Sequence, residues 1–212
     1  MHIIFSNTNL DEKLYKKVTY KRGEVVFNSG DICNEIGFVE EGLLSIKTHT
    51  YTSDEYEISS LKENTCYGMF LLFSDDPHYL GTCIALKQST VYIFTKDNLL
   101  EALKNPFFLN NYLHLSSNLA KVNQKKLKIL SQKSIQNKIL FLLVSNYQEN
   151  GSSILKIKSK ESLANYLCIT RPSLSRELIR LKKLKIIDYS RNYLKLIKID
   201  SLYKKMLTSL TS

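Results

Sequence analysis

The sequence predicts an α+β chain. Short antiparallel strands close into a jelly-roll barrel, a long helix follows, and a small helical domain ends in a β-hairpin. Three observations carry this. Six of the seven glycines fall between Gly23 and Gly81, with strand-length apolar runs between them, which is the rhythm of an antiparallel barrel. From Phe107 to about Leu130 no glycine or proline interrupts a helical pattern. Charge then reverses: residues 1–118 hold 10 Lys+Arg against 15 Asp+Glu, a net of −5, and residues 119–212 hold 20 against 5, a net of +15.

In the first part the strand candidates are Glu24–Asn28, Ile36–Glu40, Leu43–Thr48, Tyr56–Leu61, Gly81–Ala85 and Thr90–Thr95. They are rich in Val, Ile, Phe, Tyr and Thr and bounded by Gly, Asp, Asn and Ser. Thr95–Asn105 reads as a short helix with Thr95 or Asp97 at its N-cap. Pro106 suits the first turn of the long helix. Two apolar seams run along that helix: Tyr112, Leu115, Leu119, Val122 and Ile129, and Leu109, Leu113, Ala120, Leu127 and Leu130. One seam is expected on the barrel and one on a partner helix; Tyr112, Leu115, Leu119 and Val122 are taken as the dimer seam. The expected division is a barrel over 1–105, a central helix and hinge over 106–133, and a third domain over 134–212.

In that third domain Ser134 caps a helix that ends at ENGSS, and Ile154–Lys158 alternates like a strand. Two short helices follow, with Ser159 and Thr170 as caps, Cys168–Ile169 as the turn and Pro172 in the first turn of the second helix. Strands Ile186–Ser190 and Tyr193–Ile199 form a hairpin, and Asp200 caps a last helix, SLYKKML. Helix, strand, helix–turn–helix and hairpin is the order of a winged helix-turn-helix.

The chain has only five arginines, and Arg171, Arg176 and Arg180 lie within ten residues of each other on the second short helix. At ~100° per residue Leu174, Leu178 and Leu181 share an inward face, and Pro172, Ser175, Arg176 and Arg180 project from the other. Forked guanidinium donors match guanine edges in a DNA major groove. The expected base contacts are Arg171, Ser175 and Arg176. The expected phosphate contacts are Thr170, Ser173, Arg180, Lys160 and Gln136.

Other chemistry finds little support. No apolar run approaches the ~18–20 residues of a membrane span, and no signal peptide is evident, so the expected location is cytoplasmic. Cys33, Cys66, Cys83 and Cys168 are far apart, and His2, His49, His78 and His114 are isolated, so no metal or cofactor is expected. No Ser/His/Asp set, paired carboxylates or phosphate-cradling glycine loop points to an enzyme.

The residues also resemble a family. KRGEVVFNSGDICNEIGFVEEGLLSI, Thr90–Leu103 and LANYLCITRPSLSREL are similar to the CRP/FNR family of bacterial transcription regulators, those related to the cyclic-AMP receptor protein. The resemblance covers nearly the whole chain. It implies a cyclic-nucleotide-binding-like barrel, a homodimer joined through the long helix, a palindromic target and RNA polymerase as a partner. It matches Arg171 and Arg176 to the two base-contacting arginines. Pro172 stands where many members have a glutamate, and Cys168 where a turn glycine is usual. The family's ribose and phosphate pairs fall on Gly68–Met69 and Tyr79–Leu80, which offer a phosphate no cation. Cyclic AMP is therefore not the expected effector, and residues 1–32 lack the cysteine cluster of the iron–sulfur members. A small, mostly uncharged or aromatic ligand near Gly68, Met69, Phe70, Tyr79 and Leu80, a barrel with no ligand, and a thiol switch stay open. So does a ligand-binding or scaffold protein whose basic half meets RNA or an acidic partner.

Overall fold

The structure, a computed structural model, describes residues 2–49 and 55–197. Contacts divide the chain into two compact units, Met1–Lys121 and Val122–Ser212. The first unit opens with single turns at Ile3–Phe5 and Glu12–Leu14, then β1 (Lys16–Tyr20), β2 (Val25–Phe27), β3 (Glu35–Glu41), β4 (Leu43–His49), β5 (Glu55–Lys62), β6 (Cys66–Tyr67), β7 (Thr82–Ala85) and β8 (Ser89–Thr95). The strands form two antiparallel sheets, ordered β1-β8-β3-β6 and β2-β7-β4-β5, which bears out the jelly-roll expectation.

Every expected strand is present, with ends shifted by a residue or two, and β1 and β6 are additional. β1, KKVTY, is a sheet edge that pairs only with β8, from Lys16↔Ile93 to Tyr20↔Ser89. An edge strand tolerates lysines and needs little apolar alternation, so the hydrophobic pattern does not announce it. β6 is two residues long, too short for any periodicity.

Ile36, Phe38, Leu44, Val91 and Phe94 are fully buried. Phe38 and Phe94 meet edge to face at 5.7 Å, and Phe108 closes on Phe94 at 5.5 Å. Gly37 makes room for a larger neighbour: a Cβ there would lie 2.2 Å from the Tyr67 ring. Helix α1 (Lys96–Ala102) starts at Thr95, whose Oγ1 accepts from the Asn98 amide at 3.3 Å. Helix α2 (Pro106–Leu130) starts without a donor at Pro106, and Asn105 Oδ1 accepts from Phe107 and Phe108 at 3.0 and 3.2 Å.

The second unit carries the end of α2, then α3 (Ile135–Asn150), β9 (Ile154–Lys156), α4 (Lys160–Tyr166), α5 (Arg171–Lys183), β10 (Ile187–Tyr189) and β11 (Tyr193–Leu196). Ser134 caps α3 through the Asn137 amide, and Gly151 ends it in the left-handed region at φ +64°. The hairpin β10–β11 joins β9 in one antiparallel sheet. Ile139, Leu143, Leu167, Leu174, Leu178, Leu181, Ile187 and Leu194 form its core, each stabilising by about 1.5–3 kcal/mol on burial. The expected helix SLYKKML, its cap Asp200 and the end of the last strand at 198–199 lie outside the described residues. Among the described residues no helix is long and apolar enough to cross a membrane, and no cluster of His, Cys, Asp or Glu could hold a metal ion.

Candidate nucleic-acid interface

The helix pair is fixed by short-range hydrogen bonds. Ser159 Oγ accepts from the Ser162 amide at 3.0 Å, and Ser162 Oγ accepts from the Ser159 amide at 3.1 Å, a reciprocal cap on α4. Lys138 of α3 donates to the Leu167 carbonyl at the other end of α4. The turn passes through Cys168 at φ +51°, a region glycine occupies at no steric cost. α5 then begins at Thr170, whose Oγ1 accepts from the Ser173 amide at 3.4 Å and donates to Ser173 Oγ at 2.9 Å.

With Leu174, Leu178 and Leu181 fully buried, the opposite face of α5 is open. Arg171, Pro172, Arg176 and Arg180 are exposed and Ser173 and Ser175 half-buried on it, as the helical wheel requires. Arg171 Nε lies 3.6 Å from Glu161, and Arg180 lies 3.4 Å from Glu177. Arg176 donates to Ser173 Oγ at 3.2 Å and meets no carboxylate among the described residues. Lys160 is half-buried with its ammonium 4.5 Å over the Tyr189 ring, and Gln136 is half-buried in the first turn of α3.

Charge is left in excess here. Four carboxylates are described in residues 122–197, and each meets a cation: Glu149 with Lys125 at 2.7 Å, Glu161 with Arg171, Glu177 with Arg180, and Asp188 with Lys182 at 2.6 Å. Lys156, Lys158, Arg191 and Lys195 are exposed around the hairpin. Arg191 at its tip is a residue the sequence reading passed over. The available signal was a fourth arginine of the basic half standing between two expected strands. Tyr189 lies beneath Lys160 and Lys182, and Tyr166 beneath Lys126, so these tyrosines are not a bare stacking platform of the kind single-stranded RNA readers use.

The expected effector residues do not gather round one space, and this corrects the sequence reading. Met69 and Tyr79 are buried, whereas Phe70 and Leu80 point outward at 52% and 76% exposure. Tyr79 stacks on Phe27 at 3.7 Å and 12° between planes. Gly68 sits at φ +80° with its backbone pressed on the Glu35 carbonyl. Phe27, Tyr67, Tyr79 and Cys83 belong to the buried core of the β-unit. An open depression of about 330 Å³ lies outside it, lined by Val25, Phe27, Asp31, Glu35 and Tyr79 among others, with no lysine or arginine. Tyr67 donates to Glu35 Oε1 at 3.4 Å, and burial lifts the Glu35 carboxyl above the usual range. Burial also raises the Cys33 thiol, and takes those of Cys66 and Cys83 up to about 12. All three are neutral at physiological pH and poor nucleophiles.

The seam expected at a dimer contact divides between the core and the surface. Tyr112, Leu115 and Leu119 pack on the core of the β-unit within their own chain, and only Val122, 62% exposed, is free of it. Leu109, Leu113 and Leu127, of the other seam, are the exposed ones.

A β-roll followed by a capped helix pair with a cationic outer face and a basic hairpin defines a DNA-binding regulator of the helix-turn-helix class. Comparisons with known proteins place it further. Residues 17–105 match the cyclic nucleotide-binding domain family, and residues 138–205 match the Crp-like helix-turn-helix domain family. The regulatory protein HlyX of Actinobacillus pleuropneumoniae is 27% identical over 203 residues, covering 92% of this chain and 83% of that protein. The fumarate and nitrate reduction regulatory protein of Vibrio cholerae is 23% identical over 196 residues, covering 89% and 77%. A solved mutant of CooA from Carboxydothermus hydrogenoformans shares the fold with a TM-score of 0.71 at 16% identity, over 97% of this chain and 95% of that one. The chain belongs to the CRP/FNR family of DNA-binding transcription regulators, and is not an enzyme.

Proposed function

We propose that this protein is a homodimeric regulator that reads a palindrome in duplex DNA, in the cytoplasm of a bacterial cell and together with RNA polymerase. The observation that carries the reading is the outer face of α5, with Arg171, Ser175 and Arg176 open to a partner above three buried leucines. Arg176 reads a guanine edge, and Arg171 does so on exchanging Glu161 for a base. Thr170, Ser173, Arg180, Lys160 and Gln136 hold phosphates. Two copies associate through α2, whose exposed seam includes Leu109 and Leu113, and the α5 of each copy reads one of two half-sites about one helical turn apart.

The β-unit takes its signal from a small molecule other than cyclic AMP. A cyclic phosphate needs a cation and donors, and the depression beside Tyr79 offers the carboxyl groups of Asp31 and Glu35 instead. The test is a gel shift of the full chain with duplex DNA and with single-stranded RNA, over a range of salt, with and without cyclic AMP. Duplex binding that falls steeply with salt and ignores cyclic AMP supports the reading. Preference for RNA, or cyclic-AMP-dependent binding, removes it.

A further inference from the structure

The basic half holds four arginines among many lysines: Arg171, Arg176, Arg180 and Arg191. Two of them meet carboxylates, and among the described residues Arg176 and Arg191 do not. Arg191 occupies the tip of the β10–β11 hairpin, and the backbone around it is held firmly. The Ser190 amide donates to the Tyr193 carbonyl at 2.9 Å, and the Asn192 amide donates to Ser190 Oγ at 3.3 Å. The Ile157 amide donates to the Asn192 carbonyl at 2.9 Å, tying the tip to the segment that leads into α4. At the other end of the hairpin the Ile186 amide donates to the Leu181 carbonyl of α5 at 3.1 Å, and Ile187 is buried in the shared core. The tip is thus one rigid piece with the helix pair, and its only long side chain is an exposed guanidinium.

We propose that Arg191 is a second sequence-reading side chain, which enters the minor groove next to the half-site held by α5 and favours runs of A·T pairs there. This rests on the duplex-DNA reading above. The residue choice argues against a simple phosphate contact, because Lys156, Lys158 and Lys195 already surround the hairpin and suffice for that. A guanidinium is more weakly hydrated than an ammonium and enters a confined groove at lower cost. A·T runs narrow the minor groove and deepen its negative potential, which draws an inserted arginine without a base-specific hydrogen bond. A rigid turn delivers that arginine without the entropic cost of ordering a loop.

The experiment is selection and sequencing from a randomised duplex library by the full chain and by the variants Arg191→Ala, Arg191→Lys and Arg176→Ala. The wild type is expected to enrich a half-site with an adjoining A·T run. Arg191→Ala should keep the half-site and lose the run to library background, and Arg191→Lys should lose most of it. Arg176→Ala should relax one position of the half-site and keep the run. On the best selected site, replacing the run by G·C pairs should weaken the wild type about tenfold, the low end for a lost contact, and Arg191→Ala less than about twofold. A wild type that enriches a half-site without a run overturns this inference and leaves the duplex reading standing. So does an Arg191→Ala variant that still selects the run. A wild type that enriches no half-site overturns both.

Discussion

The two units of this chain treat their side chains in opposite ways. The β-unit packs many of its aromatics inside, with Phe27 set between Tyr67 and Tyr79 in its core. The fully buried hydrophobic core of the second unit is aliphatic, its arginines are exposed, and every described carboxylate is already engaged. The contrast separates two ways of being a site. A polyanion partner is met by charge on a rigid surface, which needs no cavity. A small ligand needs concave space, and in the β-unit the protein's own rings occupy the core and leave the open depression beside Tyr79 for it.

The comparison breaks most directly at Tyr79. If its ring is structural, Tyr79→Ala should cost about 3 kcal/mol of stability in chemical unfolding, as for other large buried aromatics; a ring that merely lines an empty pocket would cost well under about 1 kcal/mol. Acid should then separate the units. All four histidines lie in residues 1–118, and His2 is buried with Nδ1 accepting from the Ile4 amide at 3.0 Å and Nε2 facing the Thr65 carbonyl at 3.3 Å. Burial takes its pKa from 6.5 down to about 4. The unfolded chain therefore protonates first. The stabilisation is complete above pH 6.5 and drains away as pH falls toward 4, by on the order of 3 kcal/mol. Hydrogen exchange at several pH values should show this loss in β-unit peptides, and His2→Gln should flatten it. On the other side of the comparison, Arg176→Ala should lose about 1–3 kcal/mol of discrimination at one base pair. Lys160→Ala should instead weaken all sequences alike and reduce the salt slope by about 1. A uniform loss with Arg176→Ala would remove its base-reading role. The smallest effect is expected at the turn: Cys168→Gly, at φ +51°, should raise the unfolding midpoint by an amount corresponding to about 0.5–1 kcal/mol.

Much of the helical architecture was legible because caps and periodicity act locally. Thr95, Ser134, Ser159 and Thr170 were each readable as N-caps and each is one, and Leu174, Leu178 and Leu181 face inward as their spacing requires. What failed depended on long-range packing. Tyr79 and Leu80 are sequence neighbours with opposite orientations, one stacked on Phe27 and one in solvent, and no local pattern decides which is inside. Two apolar seams on α2 are equivalent in sequence. Only the position of the β-unit core assigns Tyr112, Leu115 and Leu119 to it. β1 escaped because hydrogen bonds from β8, rather than its own composition, make it a strand. Among the interface residues, the α5 arginines stood out by clustering, and Arg191 did not because it stands alone in the sequence.

Pro172 has an outcome for the start of α5 that reaches beyond its missing glutamate. It brings no amide, the Ser173 amide is engaged by Thr170 Oγ1, and the Leu174 amide by the Thr170 carbonyl at 3.0 Å. The Arg171 amide is what remains of the helix's opening donors. Anchorage at that end must then come from side chains, the hydroxyls of Thr170 and Ser173 and the guanidinium of Arg171, more than from backbone amides.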